Sequence, residues 1–259
     1  MRVAKVLHFV KRIQGQVMII REERCTGCRI CHPYCPVGAI FTIRRQDRTV
    51  SEIDQKECVE CGVCLRSKVC PEDAFEAIEL TWPRAVRAEF SNPLTPHRST
   101  KEGGRGTEEM KTNDVTGRFQ RGFTGVSVEV GRPSLGARFR ELQKISMAIA
   151  KLHVEFEPMN PVTALMADRK RGTINEDVLD EKVLSAIVEF KVENGRLKGA
   201  LEVLKTLAAE VDTIFSVGLI SPVEKDGSIP FLSLAKEAGF PLRPNAKINV
   251  GMGRPLKEV

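Results

Sequence analysis

All eight cysteines of this 259-residue chain fall in two short runs, Cys25-x2-Cys28-x2-Cys31-x3-Cys35-Pro36 and Cys58-x2-Cys61-x2-Cys64-x5-Cys70-Pro71. Thiols at that density are candidate metal ligands. Three cysteines at consecutive three-residue intervals cannot all point one way from a regular helix or strand, whereas a loop wrapped around a compact cube can aim all three inward. The fourth ligand must then arrive from elsewhere in the chain. That pattern suits iron–sulfur chemistry, which moves single electrons and needs no acid or base. Zinc is the competing reading, but its ribbons and fingers present C-x2-C pairs that close within one unit, not triplets followed by Cys-Pro. Disulfides fit less well, because such short intervals give poor bridging geometry and no export signal accompanies them.

The two runs form an internal repeat, ERCTGCRICHPYCPVGAI against KECVECGVCLRSKVCPEDAFEAI. Over about residues 16–80 the chain resembles the two-cluster bacterial ferredoxin family. The resemblance implies two 4Fe-4S clusters in a pseudo-twofold layout, with the cysteine before each proline serving the other cluster. The implied ligand sets are Cys25, Cys28, Cys31 with Cys70, and Cys58, Cys61, Cys64 with Cys35. One departure is visible: five residues separate Cys64 from Cys70 where the first run has three. This enlarges one loop beside a cluster without removing a ligand. His32 and Tyr34 lie inside the first loop and are expected to pack over the cluster edge, with tuning of its potential as the alternative.

The segments that must position these loops are short strands, expected at residues 3–10 and 16–21 from the alternation around Gln14-Gly15. Lys5, Lys11 and Arg12 interrupt the apolar pattern there, so it fits neither a secretory segment nor a membrane span, and a cytoplasmic location is expected. The length and an apolar content of 42% allow two domains with real cores. The formal charge of +6 falls to roughly +2 once two oxidised clusters with their thiolates are counted, which removes most of the support for nucleic-acid binding. Residues 1–80 hold 13 Lys plus Arg and 11 Asp plus Glu. Freely diffusing ferredoxins of the resembled family are strongly acidic, so this module reads as one wired into a larger assembly.

We expect an α+β protein of three parts: a two-cluster ferredoxin module at 1–80, an extended linker or partner-binding arm at 81–122, and an α+β sandwich at 123–259. Between Ser91 and Gly122 only Leu94, Met110, Val115 and Phe119 are apolar, too few for a core. Beyond it, the pattern predicts a strand at 123–130, a helix at 135–151 with Phe139, Leu142, Ile145, Ile149 and Leu152 on one face, and a strand at 153–157. A helix begun at the box Thr173-x-x-Glu176 is expected to end near Lys182, followed by a strand through Val188, Phe190 and Val192. A helix from Asn194 and a strand at 213–220 complete a second βαβ unit. Together these units predict a split βαβ (βαββαβ-like) sandwich, extended by a helix at 229–238 and a strand at 246–251.

Little chemistry is expected outside the cysteines. The loop Gly131–Arg138 could hold an anion, but such residues more often turn the chain and cap a helix. Asp168–Gly172 reads as a solvated turn. His8, His97 and His153 are scattered, and no nucleophile elbow or Walker loop is present. The expected function is that of an electron-transfer iron–sulfur subunit in a cytosolic, hetero-oligomeric oxidoreductase, relaying electrons to or from a partner subunit that carries flavin, molybdenum or tungsten, or further iron–sulfur centres. Two alternatives are a reductase whose own C-terminal domain binds substrate or flavin, and a ferredoxin fused to a ligand-sensing domain.

Overall fold

The computed structural model describes residues 16–104 and 118–240. The strands expected at 3–10 and 246–251 lie outside the described residues. The described chain is α+β and divides into two compact units. One comprises residues 16–104, 131–139 and 176–185, the other 118–130, 140–175 and 186–240. Among the described residues no helix is long and apolar enough to cross a membrane.

In the first unit, β1 (Gln16–Ile20), β2 (Ile40–Arg45), β3 (Arg48–Ile53) and β4 (Phe75–Glu79) form two antiparallel pairs. β1 runs against β4 from Gln16↔Glu79 to Ile20↔Phe75, and β2 against β3 from Ile40↔Ile53 to Arg45↔Arg48. The first cysteine run therefore leaves β1 and enters β2, and the second leaves β3 and enters β4. Met18, Ile40, Ile53 and Phe75 are buried together with Cys31. The enlarged loop between Cys64 and Cys70 takes up a single helical turn, α1 (Val63–Arg66), and Leu65 and Val69 pack against that core.

A longer helix, α2 (Ala85–Ser91), follows β4 and buries Val86, Ala88 and Phe90. This helix lies within the stretch read from sequence as linker or arm, where the scarcity of apolar residues begins only after it. The Phe90 ring meets His97 edge-on at 4.5 Å and Phe139 at 5.2 Å. Ala137–Arg138 pairs antiparallel with Lys182–Val183, and the Leu184 N–H donates to Ser91 Oγ at 2.8 Å.

The second unit contains β5 (Phe123–Val130), α3 (Phe139–Ala150, which begins at the unit boundary), β6 (Glu155–Phe156), β7 (Ala186–Glu193), α4 (Asn194–Leu207), β8 (Phe215–Ile220) and α5 (Phe231–Glu237). Its four strands make one antiparallel sheet in the order β8-β5-β7-β6. Val126, Val128 and Val130 alternate into the core, as period-two patterning requires. α4 packs on β5 and β7 through Leu197, Leu201 and Leu204, each 0% exposed.

Two sequence expectations fail locally. The helix expected from residue 135 starts at Phe139, because Gly136 takes φ +71° and Ala137–Arg138 is drawn into strand pairing. No helix forms over 173–182: Thr173–Ile174 pairs with Met166–Asp168, and only a 3-10 turn follows at Glu176–Val178. Burial decides against the capping box. Ile174 and Val178 are 1% and 0% exposed, and the Ile174 N–H donates to the Gln143 side chain at 2.8 Å.

Candidate metal centre

The two cysteine runs trace the same backbone path. In the first, Gly27 and Arg29 adopt left-handed φ of +71° and +64°; in the second, the equivalent Glu60 and Gly62 adopt +54° and +68°. Alternating handedness curls a loop and turns successive N–H groups to its inside, which suits an anionic guest. Equivalence continues past the prolines. Gly38 and Asp73 are left-handed, the Ala39 N–H donates to Cys35 Sγ at 3.1 Å, and the Ala74 N–H donates to Cys70 Sγ at 3.3 Å. At the other end, Cys25 N–H donates to Arg21 O and Cys58 N–H to Asp54 O, while Arg21 N–H and Asp54 N–H donate to Ala74 O and Ala39 O. The sequence repeat is a repeat of backbone geometry.

Each curled loop faces a cavity. One, of about 330 Å³, is lined by Cys25, Cys28, Cys31 and Cys70, with Ile20, Ser51 and Phe75 beside them. The other, also about 330 Å³, is lined by Cys58, Cys61, Cys64 and Cys35, with Met18, Ile40 and Ile53. All eight cysteines are free thiols, and each cavity receives three from its own run and one from the other. Among the described residues no three of these thiols converge closely enough to hold a single ion, unlike a zinc site, where four ligands meet one ion at about 2.3 Å. An all-sulfur donor set around such a space fits an iron–sulfur cluster.

The cavities differ in exposure. Burial pushes the Cys58 thiol up to about 12, with the Glu60 carboxylate adding to the effect. Burial likewise pushes Cys61 and Cys64 up, and nearby Cys35 adds to the rise at both. In the first set burial raises Cys31, opposed by a hydrogen bond from Ser51, and Cys28 is exposed. A thiol that burial keeps protonated becomes a ligand when metal replaces its proton, which fits the buried set to a cationic iron core.

Sequence reasoning missed several residues here. Ser51, on β3, donates its N–H to Cys25 Sγ at 3.3 Å, and its hydroxyl lies 3.0 Å from His32 Nε2. No motif marks a serine far along the chain from the first run. His32 thus touches Ser51, which lines the cavity, without lining it itself, and Tyr34 is exposed. Gly27 is required by space as well as by φ, since a Cβ there would stand 2.2 Å from the Thr49 carbonyl oxygen. Arg84, at the N-cap of α2, and Arg87 on that helix reach the loop that leads to Cys58. The loop Gly131–Arg138 leads directly into α3, and Arg138 is engaged by Glu57 and the Asp180 carbonyl.

Comparison with known proteins agrees with this geometry. Residues 13–77 match the family model of the 4Fe-4S dicluster domain. One subunit of an ion-translocating oxidoreductase complex from Methanosarcina acetivorans is 40% identical over 60 residues, 23% of this chain and 20% of that protein. Pyruvate synthase subunit PorD of Thermotoga maritima is 33% identical over 58 residues, 22% of this chain and 54% of that one. Indolepyruvate oxidoreductase subunit IorA of Pyrococcus abyssi is 34% identical over 65 residues, 25% of this chain and 9% of that one. The similarity thus spans from under a tenth to about half of these relatives' lengths. No solved structure matches the chain. Residues 13–77 belong to the ferredoxin-type 4Fe-4S dicluster domain family.

Proposed function

We propose that the chain is an electron-transfer iron–sulfur subunit of an oxidoreductase. Cys25, Cys28, Cys31 and Cys70 would hold one 4Fe-4S cluster, and Cys58, Cys61, Cys64 and Cys35 the other. Such clusters supply one-electron transfer at potentials set by their surroundings. The chain's residues fix the two sites beside each other through the crossed cysteines, direct N–H groups at the sulfurs, and keep water from the second site with Met18, Ile40 and Ile53. The observation that carries this reading is the lining of the two cavities, three thiols of one run with one of the other.

A partner subunit, bearing flavin, molybdenum or tungsten, or further iron–sulfur centres, would supply or take the electrons. The relatives' descriptions as subunits of oxidoreductases support that reading. The C-terminal unit reads as a split βαβ sandwich serving assembly. Its antiparallel sheet places the fourth strand beside the first, then the third and the second, which supports that topology. Arg118, Phe119, Phe156 and Phe190 help to line a small hollow in this unit.

Anaerobic purification from the native source tests the proposal, with iron, acid-labile sulfide and EPR measured on the chain and the co-eluting proteins identified. Two reducible 4Fe-4S centres and a stoichiometric redox partner are expected. A colourless chain, or one loaded with zinc, would refute it.

A further inference from the structure

Outside the family match, helix α2 and its N-cap send two arginines back to the second cysteine run. Arg87 is 5% exposed; its Nη1 donates to the Cys58 carbonyl at 2.6 Å and to the Gln55 carbonyl at 3.0 Å. Its Nε is paired with the Glu181 carboxylate. One helical turn earlier, Arg84 donates to the Gln55 carbonyl at 2.8 Å and to the Glu60 side chain at 2.9 Å. Glu60, between Cys58 and Cys61, is 3% exposed and also accepts the Met18 N–H at 3.0 Å. Glu57, just before Cys58, is held by Arg138 at 2.6 Å and Lys182 at 2.5 Å. Both acids flanking Cys58 therefore pair with cations from beyond residue 80.

Holding the loop would need only hydrogen bonds. Ionised pairs do something else: they place a buried cation and a half-buried anion beside a centre whose charge would change by one on each turnover. A low-dielectric surrounding magnifies the effect of each charge. A cation favours the reduced, more negative state and raises the potential, and its acid partner opposes it.

We propose that Arg87 and Glu181 form a potential-setting pair for the cluster held by Cys58, Cys61, Cys64 and Cys35, with Arg87 positioned against the Cys58 backbone to raise the potential and Glu181 to offset it. The inference rests on the two-cluster reading above. Neither residue is a cluster ligand; both act through the field at the site and through the carbonyl of a ligand residue.

The test uses the full reconstituted chain and an EPR-monitored redox titration that resolves the two centres. Arg87→Gln should lower the potential of the second centre, because Glu181 is left uncompensated. Glu181→Gln should raise it, because Arg87 is. Arg87→Lys, which keeps the charge, should stay near wild type, and the first centre should move in none of them. Opposite signs from the two partners separate this role from a structural one, since loosening the loop would drive both variants the same way. Shifts of equal sign, no shift, or equal movement of both centres would overturn the inference. If Arg87→Gln fails to load the second centre, Glu181→Gln decides alone: an upward shift supports the pair's role, and any other result rejects it. Wild-type protein with fewer than two centres would instead refute the underlying reading.

Discussion

Replacing Cys35 with serine removes one of the four thiols lining the second cavity and none of those lining the first. The cost to metal loading follows from that placement. Cys58, Cys61 and Cys64 remain, but three sulfurs cannot complete a four-cysteine cluster site, so iron and sulfide per chain should fall to about half. The surviving centre should be the one ringed by Cys25, Cys28, Cys31 and Cys70, with an unchanged potential and EPR line shape. Cys70→Ser should produce the mirror image, halving the iron while sparing the more buried centre. Serine preserves the side chain's size and a weak acceptor for the Ala39 N–H that now meets Cys35 Sγ at 3.1 Å, so the backbone turn should survive. The assay is iron and sulfide quantification with cluster-resolved EPR on anaerobically reconstituted protein. Loss of each variant's own triplet centre would sink the crossed arrangement.

Other consequences can be measured directly. Gly27→Ala forces a Cβ into the Thr49 carbonyl at a position with φ +71°; it should cost on the order of 1–3 kcal/mol and weaken the first centre's signal, and an unchanged denaturation midpoint would contradict the geometry. Leu201→Ala empties a fully buried position of α4 and should destabilise the chain by about 2–5 kcal/mol in chemical denaturation without altering either centre's potential. Burial pushes His97 down, against the Gly104 carbonyl and Glu89, which push it up. The fold therefore prefers the neutral ring, so His97's contribution is complete above its ordinary value near 6.5 and is lost as pH falls below it. The stability difference between wild type and His97→Phe should accordingly depend on pH between about 7.5 and 5.5, and a difference flat across that range would remove His97 from the account.

What could be read from the sequence divides along physical lines. The two cysteine triplets were legible in their spacing, whereas the crossed placement of Cys35 and Cys70 was implied by the resemblance to two-cluster ferredoxins and stands as the proposal above. β1, β5, β7 and α4 were legible because their apolar periods are strong and uninterrupted. The left-handed residues Arg29 and Glu60 were not, since glycine occupies the matching position only in the other copy. The expected helix over 173–182 failed because its capping box is a local signal, while Ile174 and Val178 are claimed by tertiary burial. α2 escaped notice because one short run, Val86, Ala88 and Phe90, sets no period. The contacts of Arg84 and Arg87 with residues 55–60 leave no trace in a single sequence, because nothing local distinguishes a buried arginine from a solvated one.

Within the stretch of residues 16–80, the proposed ligation would be tied to folding. Beside the thiols Met18, Ile40, Ile53 and Phe75 are buried in one cluster with Cys31, and Cys35, Cys58, Cys64 and Cys70 pack against it. Domains this small rarely hold together on apolar burial alone and usually add covalent or metal cross-links. The proposed crossed ligation would supply such links, because each cluster would tie a triplet to a cysteine across an intervening strand pair and so close a long loop. The same arrangement would serve the proposed electron transfer: a site whose ligands are also its core would resist relaxation when its charge changes, and Arg84 and Arg87 would extend that constraint to the backbone of residues 55–58.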